Sequence, residues 1–303
     1  MTRFRASKKA LLRWGYDRLW HRWPLMIVPL VRIFRRGHGY WPNLLRPRSF
    51  NEKILFRILF DRRPHLPLLA GKLEVREHVR RRLGGDQHLV PLLGVIRRAE
   101  DLRALTLPPD FILKANHGSG MLHVQRASHP PNLDALERQC AHWIAGQYGK
   151  YQREWVYRDV ESLILAEHLL LDDEGHIPHD CRIYCFDGEP RFIATCEGRF
   201  AGNQTQCFFW PDWTPIALRL RKDRGTRTPP PRPEHLGEML DIARRLSRGI
   251  DFVRVDLYDV QGRVWFGELT CTPGAARSPI DPRSADFLLG SFWKLDTRTR
   301  LRD

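Results

Sequence analysis

The sequence predicts an α+β fold preceded by a basic helical extension. Three observations carry that prediction. Beyond residue 50, apolar residues at helical spacing give way repeatedly to short apolar or alternating runs that read as strands. Two pairs of these runs, within "DCRIYCFDGEPRFIATCEGRF" (180–200) and "DFVRVDLYDVQGRVWFGELTCTPG" (251–274), are joined by glycine-containing turns and read as antiparallel hairpins. By contrast, the first fifty residues hold twelve Lys/Arg against one acid, Asp17, and so carry +11 of the net +15. With 303 residues, 42% hydrophobic and 28% charged, the chain has an ordinary globular composition and room for a large core in two or three subdomains.

The extension also holds four of the ten tryptophans: Trp14, Trp20, Trp23 and Trp41. Its apolar centre, "PLMIVPLV" (24–31), is eight residues long and bracketed by Arg22 and Arg32. A bilayer span needs about 20 apolar residues, so spanning is excluded. Two readings stand side by side: a helix lying in an anionic membrane surface, or a basic helix packed on the main domain. No nucleic-acid partner is expected, because no nucleic-acid module is visible and the rest of the chain carries only +4. No apolar run leads to a small-residue cleavage site, so no signal peptide is expected. The six cysteines (Cys140, Cys181, Cys185, Cys196, Cys207 and Cys271) lack zinc spacing and read as the reduced thiols of a cytoplasmic protein.

The elements follow in order. "SFNEKILFRILFDRR" (49–63) places Ile54, Leu55, Ile58 and Leu59 at helical spacing behind Ser49 or Asn51 as N-cap. "GKLEVREHVRRRLGG" (71–85) is a second helix, closed by Gly84 and Gly85. "HLVPLLGVI" and "DFILKAN" read as strands, and an apolar segment resumes at Met121. "NLDALERQCAHWIAGQYG" is an amphipathic helix with Leu133, Leu136, Cys140, Trp143 and Ile144 on one face. "SLILAEHLLL" is a strand, the hairpin over 180–200 turns at "DGEP", and "RTPPPRP" (227–233) is an extended linker. "EHLGEMLDIARRLSRG" is a helix ending at Gly249.

Two stretches carry chemistry. In "FILKANHGSGMLHV" (111–124) a lysine closes a strand and a glycine-rich loop follows. That is the reverse of a Walker-type loop, where the lysine follows the glycines and opens a helix. In 251–274, "FVRVDLY" alternates, with Val253, Val255 and Leu257 on one face and Arg254, Asp256 and Tyr258 on the other. A hairpin loop of odd length puts Asp256 and Glu268 on one face with Arg254 and Thr270, and gathers Val253, Val255, Leu257, Trp265 and Leu269 on the opposite, apolar face. Carboxylates on a buried face are costly unless paired or metal-bound. Two carboxylates and an arginine suit a Mg²⁺–triphosphate site. An Arg–Asp–Glu ion-pair network on an exposed face explains the same pattern equally well.

Taken together, these motifs resemble an ATP-grasp protein, and specifically the TupA-like (teichuronopeptide biosynthesis) branch. "FILKANHGSG" is similar to the strand–Lys–glycine loop of that group, "ILAEHL" to its adenine-contacting strand, and "VRVDLY…FGELTCTPG" to its Arg-x-Asp strand and Glu-x-Asn-x-x-Pro-Gly metal motif. "SFNEKI" and "GKLEVREHV" resemble its opening segments, and the matches run in order over about residues 46–295. The resemblance implies an ATP-grasp fold, with a nucleotide held between two antiparallel-rich α+β subdomains. It implies residues 1–45 as the basic extension, 46–110 as an N-terminal subdomain and 111–303 as the nucleotide-binding and catalytic region. Carried over by position, Lys72 and Lys114 hold phosphates and Asn116, His117, Gly118, Ser119 and Gly120 form the phosphate loop. Glu167, with the backbone of His168 and Leu169, holds adenine and ribose. Asp256, Glu268 and Thr270 bind Mg²⁺, and Arg254 and Arg182 act on the transferring group. Thr270 stands where the motif has asparagine, a weaker ligand that puts a second metal in doubt. Arg182 stands where relatives often carry lysine.

The implied activity is an ATP- and Mg²⁺-dependent carboxylate–amine ligase working through an acyl phosphate, in bacterial cell-surface polysaccharide synthesis. Its partners would be a carboxylate and an amine, such as a uronic acid-containing polymer and an amino acid. It would act in the cytoplasm or at the inner face of the plasma membrane. Two alternatives remain: a glycosyltransferase, whose Asp-x-Asp motif does not occur here, and a non-catalytic membrane-surface protein with a degenerate ATP-grasp body.

Overall fold

The computed structural model describes residues 23–146, 148–149, 153–197, 205–221 and 229–296. Among them, helices and two antiparallel sheets make an α+β fold. Helix α1 (Trp23–His38) lies on α2 (Phe50–Phe60), and the short α3 (His65–Ala70) leads into α4 (Glu74–Leu83). Strands β1 (Leu92–Ile96), β2 (Phe111–Ala115), β3 (Leu122–Gln125) and β4 (Ile164–His168) form the first sheet, in the order β1-β4-β2-β3. Helix α5 (Leu133–Ala145) packs on it. Strands β5 (Asp180–Phe186), β6 (Glu189–Glu197), β7 (Thr205–Phe209), β9 (Phe252–Val260) and β10 (Arg263–Thr270) form the second, in the order β10-β9-β5-β6-β7. Two-residue strands β8 (Arg219–Leu220) and β11 (Ile280–Asp281) pair with each other. Helix α6 (Leu236–Ser247) covers one face of the second sheet, and α7 (Arg283–Ser291) sits beside α2.

Local chemistry explains the element boundaries. Ser49 caps α2 in a capping box with Glu52, whose carboxylate also accepts from the amides of Asn43 and Arg48. Gly84 ends α4 at φ +83°, and Asn132 caps α5 through Ala135 N. Leu133 is exposed, so the apolar face of α5 narrows to Leu136, Cys140 and Trp143, with Ile144 packed partly buried beside them. The six cysteines are free thiols.

The second sheet separates two cores. Cys181, Ile183, Val253, Val255, Leu257, Phe266 and Leu269 pack under α6. Tyr184, Phe186, Phe192, Phe208 and Phe252 pack under α2 and α7. Arg57 of α2 is fully buried and donates to Phe252 O (2.8 Å), Cys271 O (3.1 Å) and Asp251 Oδ1 (2.6 Å). One side chain thus fastens the start of β9 and the chain just past β10 to the same helix, holding the two strands that carry the acidic pair.

One expectation needs correction. The β9–β10 loop is not odd: Gln261 (φ +53°) and Gly262 (φ +68°) form a two-residue turn, with Val260 opposite Arg263. A bulge between Phe266 and Glu268 then shifts the register by one. Trp265 therefore stands opposite Tyr258, with the Arg263 guanidinium 4.0 Å from its ring centroid, and Phe266 takes the apolar place expected for it. In the extension, residues 1–22, with Trp14 and Trp20, lie outside the described residues. Helix α1 buries Leu30 and Phe34 in the α2 core, and His38 Nε2 lies 3.0 Å from Ala276 O.

Candidate active site

The first sheet delivers one lysine. Cross-strand pairs Ile112–Glu167 and Lys114–Leu165 place these side chains on the face away from α5, while Phe111, Leu113, Ala115 and Ala166 fill the core beneath it. Lys114 Nζ donates to Glu167 Oε2 at 2.6 Å, and Arg76 approaches Oε1 at 3.4 Å. Glu167 is buried between these two cations. His168, Leu169 and Leu170 continue from β4 along the rim of a narrow cleft. Lys114, Ile112, Leu122, Ser119 and Gly120 line it from this sheet, and Asp256, Tyr258, Gly267 and Glu268 line it from the other.

The loop after β2 divides in two. Asn116 is fully buried: its Oδ1 accepts from Leu73 N (2.8 Å), and its Nδ2 donates to Glu74 Oε2 (3.0 Å) and Glu161 O (3.1 Å). His117 is also buried, with Nε2 2.9 Å from Trp143 O, and burial holds its pKa below the ordinary histidine range. Lys72 Nζ donates to the carbonyls of Ala115 (2.9 Å) and Gly118, gripping the loop from below while lining the cleft. Gly118 is needed for packing, since a Cβ there would lie 2.5 Å from Met121 Cε and 2.6 Å from Tyr148 Cγ. Gly120, at φ +76°, has open space around it and, with Ser119, faces the cleft. The structure thus turns the side chains of Asn116 and His117 inward and leaves Ser119 and Gly120 as the exposed arc of the loop.

The second sheet delivers the charged cluster. Arg254 donates from Nε to Asp256 Oδ1 (2.6 Å), and from Nη2 to Asp256 Oδ2 (2.6 Å) and Glu268 Oε1 (2.8 Å). Thr270 Oγ1 donates to the same Glu268 oxygen at 3.0 Å. On β5, Arg182 donates to Asp180 Oδ2 at 2.8 Å and approaches Asp256 Oδ2 at 4.0 Å. Burial pushes Asp256 up to about 6; Arg254 pulls against that shift and Glu268 adds to it. Burial alone would lower Arg254, but Asp256 and Glu268 outweigh it and hold the guanidinium charged. The cluster is a paired, buried network rather than an exposed one, since Arg182, Arg254, Asp180 and Asp256 are all buried.

A second cleft, of about 520 Å³, meets the first at Ser119, Gly120, Leu122 and Glu268. Arg182 and Arg254 stand on its wall, and Asn51, Gln206, Tyr184 and Phe208 line its body. The reading by motif missed Asp180, Asn51, Gln206 and Gly267. Asp180 had a signal, because it precedes Arg182 by two on an alternating strand and shares its face. Asn51 and Gln206 had none, since chain distance hides their approach.

A hard divalent cation suits the donors present. Asp256, Glu268 and Thr270 offer only oxygen, and Mg²⁺ takes one or two protein carboxylates when phosphate oxygens and water complete its shell. No group of three or more His, Cys, Asp or Glu is placed to hold a metal ion among the described residues.

Comparisons with known proteins bear on most of the chain past the basic extension. A family model described as TupA-like ATPgrasp matches residues 52–294. Among solved structures, the chain is similar to the ATP-grasp ligase PsnB complexed with a minimal precursor, at 15% identity and a TM-score of 0.38, over 70% of this chain and 56% of that one. It is similar to D-alanine–D-alanine ligase from Bacillus anthracis at 15% identity and a TM-score of 0.41, over 72% and 62% of the two chains. Against phosphoribosylamine–glycine ligase from Thermotoga maritima the values are 13%, 0.39, 73% and 53%. The chain therefore spans between about half and just under two thirds of the length of these structures. No curated protein matches it.

Proposed function

The chain belongs to the TupA-like ATP-grasp family, and from that premise we propose that it is an ATP- and Mg²⁺-dependent ligase joining a carboxylate to an amine. One observation carries the reading: Lys114 from one sheet and the Asp256–Glu268 pair from the other line a single cleft, which opens beside Arg254 into a second one. The first cleft takes the nucleotide. Ile112, Leu122, Leu169 and Leu170 give an apolar seat for the base, with the backbone of His168 and Leu169 at its rim. Lys114 reaches phosphate, and the exposed arc at Ser119 and Gly120 covers it with little side-chain obstruction. The conflict between Lys114's partner Glu167 and an incoming phosphate is one of like charge, so Glu167 turns to the ribose while Lys114 changes partner.

Asp256, Glu268 and Thr270 would hold Mg²⁺, which neutralises charge on the transferring phosphoryl group. The second cleft takes the acceptor. There a substrate carboxylate attacks the γ-phosphorus of ATP, releasing ADP; an amine nitrogen then attacks the acyl carbon and releases phosphate. Arg254 and Arg182 orient the carboxylate and meet the charge that develops on it. No protein nucleophile is required. By family setting the product belongs to a bacterial cell-surface polymer. The test is ADP release by the purified protein across a panel of uronic acids and amino acids, with Mg²⁺. Release that requires both an acid and an amine supports the ligase; release with neither, or none with any pair, counts against it.

A peripheral place at an anionic membrane is part of the same proposal. Five exposed arginines (Arg32, Arg35, Arg36, Arg46 and Arg48) lie among exposed Val28, Trp41 and Leu45. At roughly 1 kcal/mol for each basic residue near an anionic surface, a few suffice for measurable binding that weakens with salt. No helix among the described residues is long and apolar enough to cross a membrane. Because Leu30 and Phe34 belong to the core, the informative variant is Arg32→Ala/Arg35→Ala/Arg36→Ala rather than a truncation. Equal sedimentation of parent and variant with phosphatidylserine vesicles would remove the membrane from the proposal.

A further inference from the structure

The five-stranded sheet carries a second constellation on the face opposite the charged cluster. Arg182 pairs across the sheet with Ala194 and Asp256, whereas its neighbour Cys181 pairs with Thr195 and Leu257. Successive residues point to opposite faces, so Cys181 and Thr195 look away from the active site. A pocket of about 380 Å³ lies over them. Among the described residues, four carboxylates line it (Asp172, Asp173, Glu234 and Asp259), with Arg232 as the arginine beside them. That balance runs against the +15 of the whole chain.

Two further observations say what such a pocket takes. The Thr195 side chain lines it at 1% exposure, and its hydroxyl has no hydrogen-bond partner. A buried hydroxyl without a partner is costly, and a ligand that supplies a donor removes that cost. The walls are apolar and rigid: Pro230, Pro231 and Pro233 on one side, and Trp213 on another, its indole stacked on Phe209 with centroids 4.2 Å apart. Asp172 and Asp259 are already engaged, with Glu174 N and His176 N and with His235 respectively. Asp173 and Glu234 are exposed at the rim.

We propose that this pocket binds an aliphatic primary ammonium carried on an apolar stem. The ammonium is compact and has three donors, one of which the Thr195 hydroxyl can accept, and the lining carboxylates give it an acidic surrounding. The stem lies against the prolines and Trp213, where an aromatic face adds attraction for the cation. A bare metal ion fits less well, because it would leave the apolar walls of Pro230, Pro231, Pro233 and Trp213 without a partner. The site is separate from the amine that reacts, since the sheet stands between this pocket and Arg254. It holds an amine without transforming it, and it does not depend on the proposed ligase chemistry.

The ammonium can belong to a free diamine or to a lysyl residue of a peptide, so two probes are used. Cadaverine and N-acetyl-lysinamide are titrated calorimetrically into the full chain without nucleotide, with 1,5-pentanediol as the uncharged control. Saturable binding of at least one amine and none of the diol is expected. Tighter binding of N-acetyl-lysinamide assigns the site to a peptide, and tighter binding of cadaverine to a free amine. Thr195→Val, which keeps the shape and removes the hydroxyl, weakens binding about tenfold. So does Asp173→Asn with Glu234→Gln, and because both residues are exposed the fold is retained if Thr195→Val fails to fold. The proposal is overturned if neither amine saturates in the low millimolar range, if the diol binds as well, or if the folded variants bind like the parent.

Discussion

Glu268 stands directly opposite Asp256 across β9 and β10, and the bulge at Gly267 is what puts it there. A regular two-residue hairpin would continue the pairing of Phe266 with Leu257 and leave Glu268 diagonal to Asp256, on the other face. One extra residue turns the carboxylate into the cleft. Gly267 is the residue that permits it, since a Cβ there would lie 2.9 Å from Tyr258 Cε2 and 3.1 Å from the Asp256 carbonyl oxygen. Gly267→Ala should therefore lower stability by roughly 1 to 3 kcal/mol and reduce ADP release at least tenfold in molecules that remain folded. Gly237→Ala is the control, because nothing lies within 4 Å of that Cβ on α6. Equal ADP release per folded molecule in the two variants would show that the bulge does not set the site.

Arg254 and Glu268 should separate in kinetics. Arg254→Ala is expected to cost about 100- to 1000-fold in kcat with the KM for ATP nearly unchanged, because the guanidinium meets charge that develops during transfer. It also leaves Asp256 and Glu268 facing each other without their shared cation, so the variant melts lower than the parent. Mg²⁺ with ATP should raise its melting temperature more than the parent's, the metal taking over the neutralising role. Glu268→Gln keeps the size, loses the metal-binding charge, and should lower kcat with nucleotide binding partly retained. Lost stability with an unchanged rate per folded molecule, in both variants, would reduce the cluster to a structural ion-pair network.

Within the loop, Asn116 and Ser119 should behave oppositely. Asn116→Ala removes the acceptor of Leu73 N and donors to Glu74 and Glu161, all in a fully buried place. A loss of about 2 to 3 kcal/mol in stability is expected. Ser119→Ala lies at the cleft surface and should leave the melting temperature within about a degree while raising the KM for ATP. The reverse pattern would mean that Asn116, not Ser119, faces the nucleotide.

The strands and helices were legible because their periods are. "FVRVDLY" alternates, and the carboxylate in its middle stands out because a buried charge needs a partner. Gly84, Gly249 and Ser49 are boundary residues with local causes. The loop Asn116–Gly120 has no period, so nothing local separates the residues that turn inward from those that face the cleft. The bulge was readable in principle, because a glycine inside "VWFGEL" is a bulge signal in a strand; an odd loop was the simpler solution, and the turn at Gln261–Gly262 excludes it. Asp180 shares a face with Arg182, whereas Gln206 and Asn51 arrive from β7 and α2 by tertiary packing alone. The buried Leu30 and Phe34 of α1 reflect the same limit: apolar residues amid arginines read equally as a membrane face or a core face.

Glu154 offers a pH-dependent test. It is buried, and Thr272 Oγ1 donates to its Oε2 at 2.6 Å, tying the segment before Trp155 to the chain just past β10. Burial pushes its carboxyl up from 4.5 to about 7, against the opposing pull of the Thr272 hydrogen bond and the Arg277 charge. In the unfolded chain the same group ionises near 4.5, so between these values the folded state binds the extra proton. Its contribution to stability is therefore complete below the unfolded value and is lost as pH rises through about 7. Glu154→Gln keeps the shape and the acceptor for Thr272 but never ionises. The variant should match the parent near pH 4.5 and exceed its stability at pH 8 by roughly 2 to 3 kcal/mol. Glu154 is not among the residues lining either cleft, so ADP release at saturating substrates should follow the same pH profile in both proteins. Denaturant unfolding at intervals from pH 4.5 to 8 decides it: a stability difference that does not grow with pH would mean that Glu154 is ionised in the folded protein throughout.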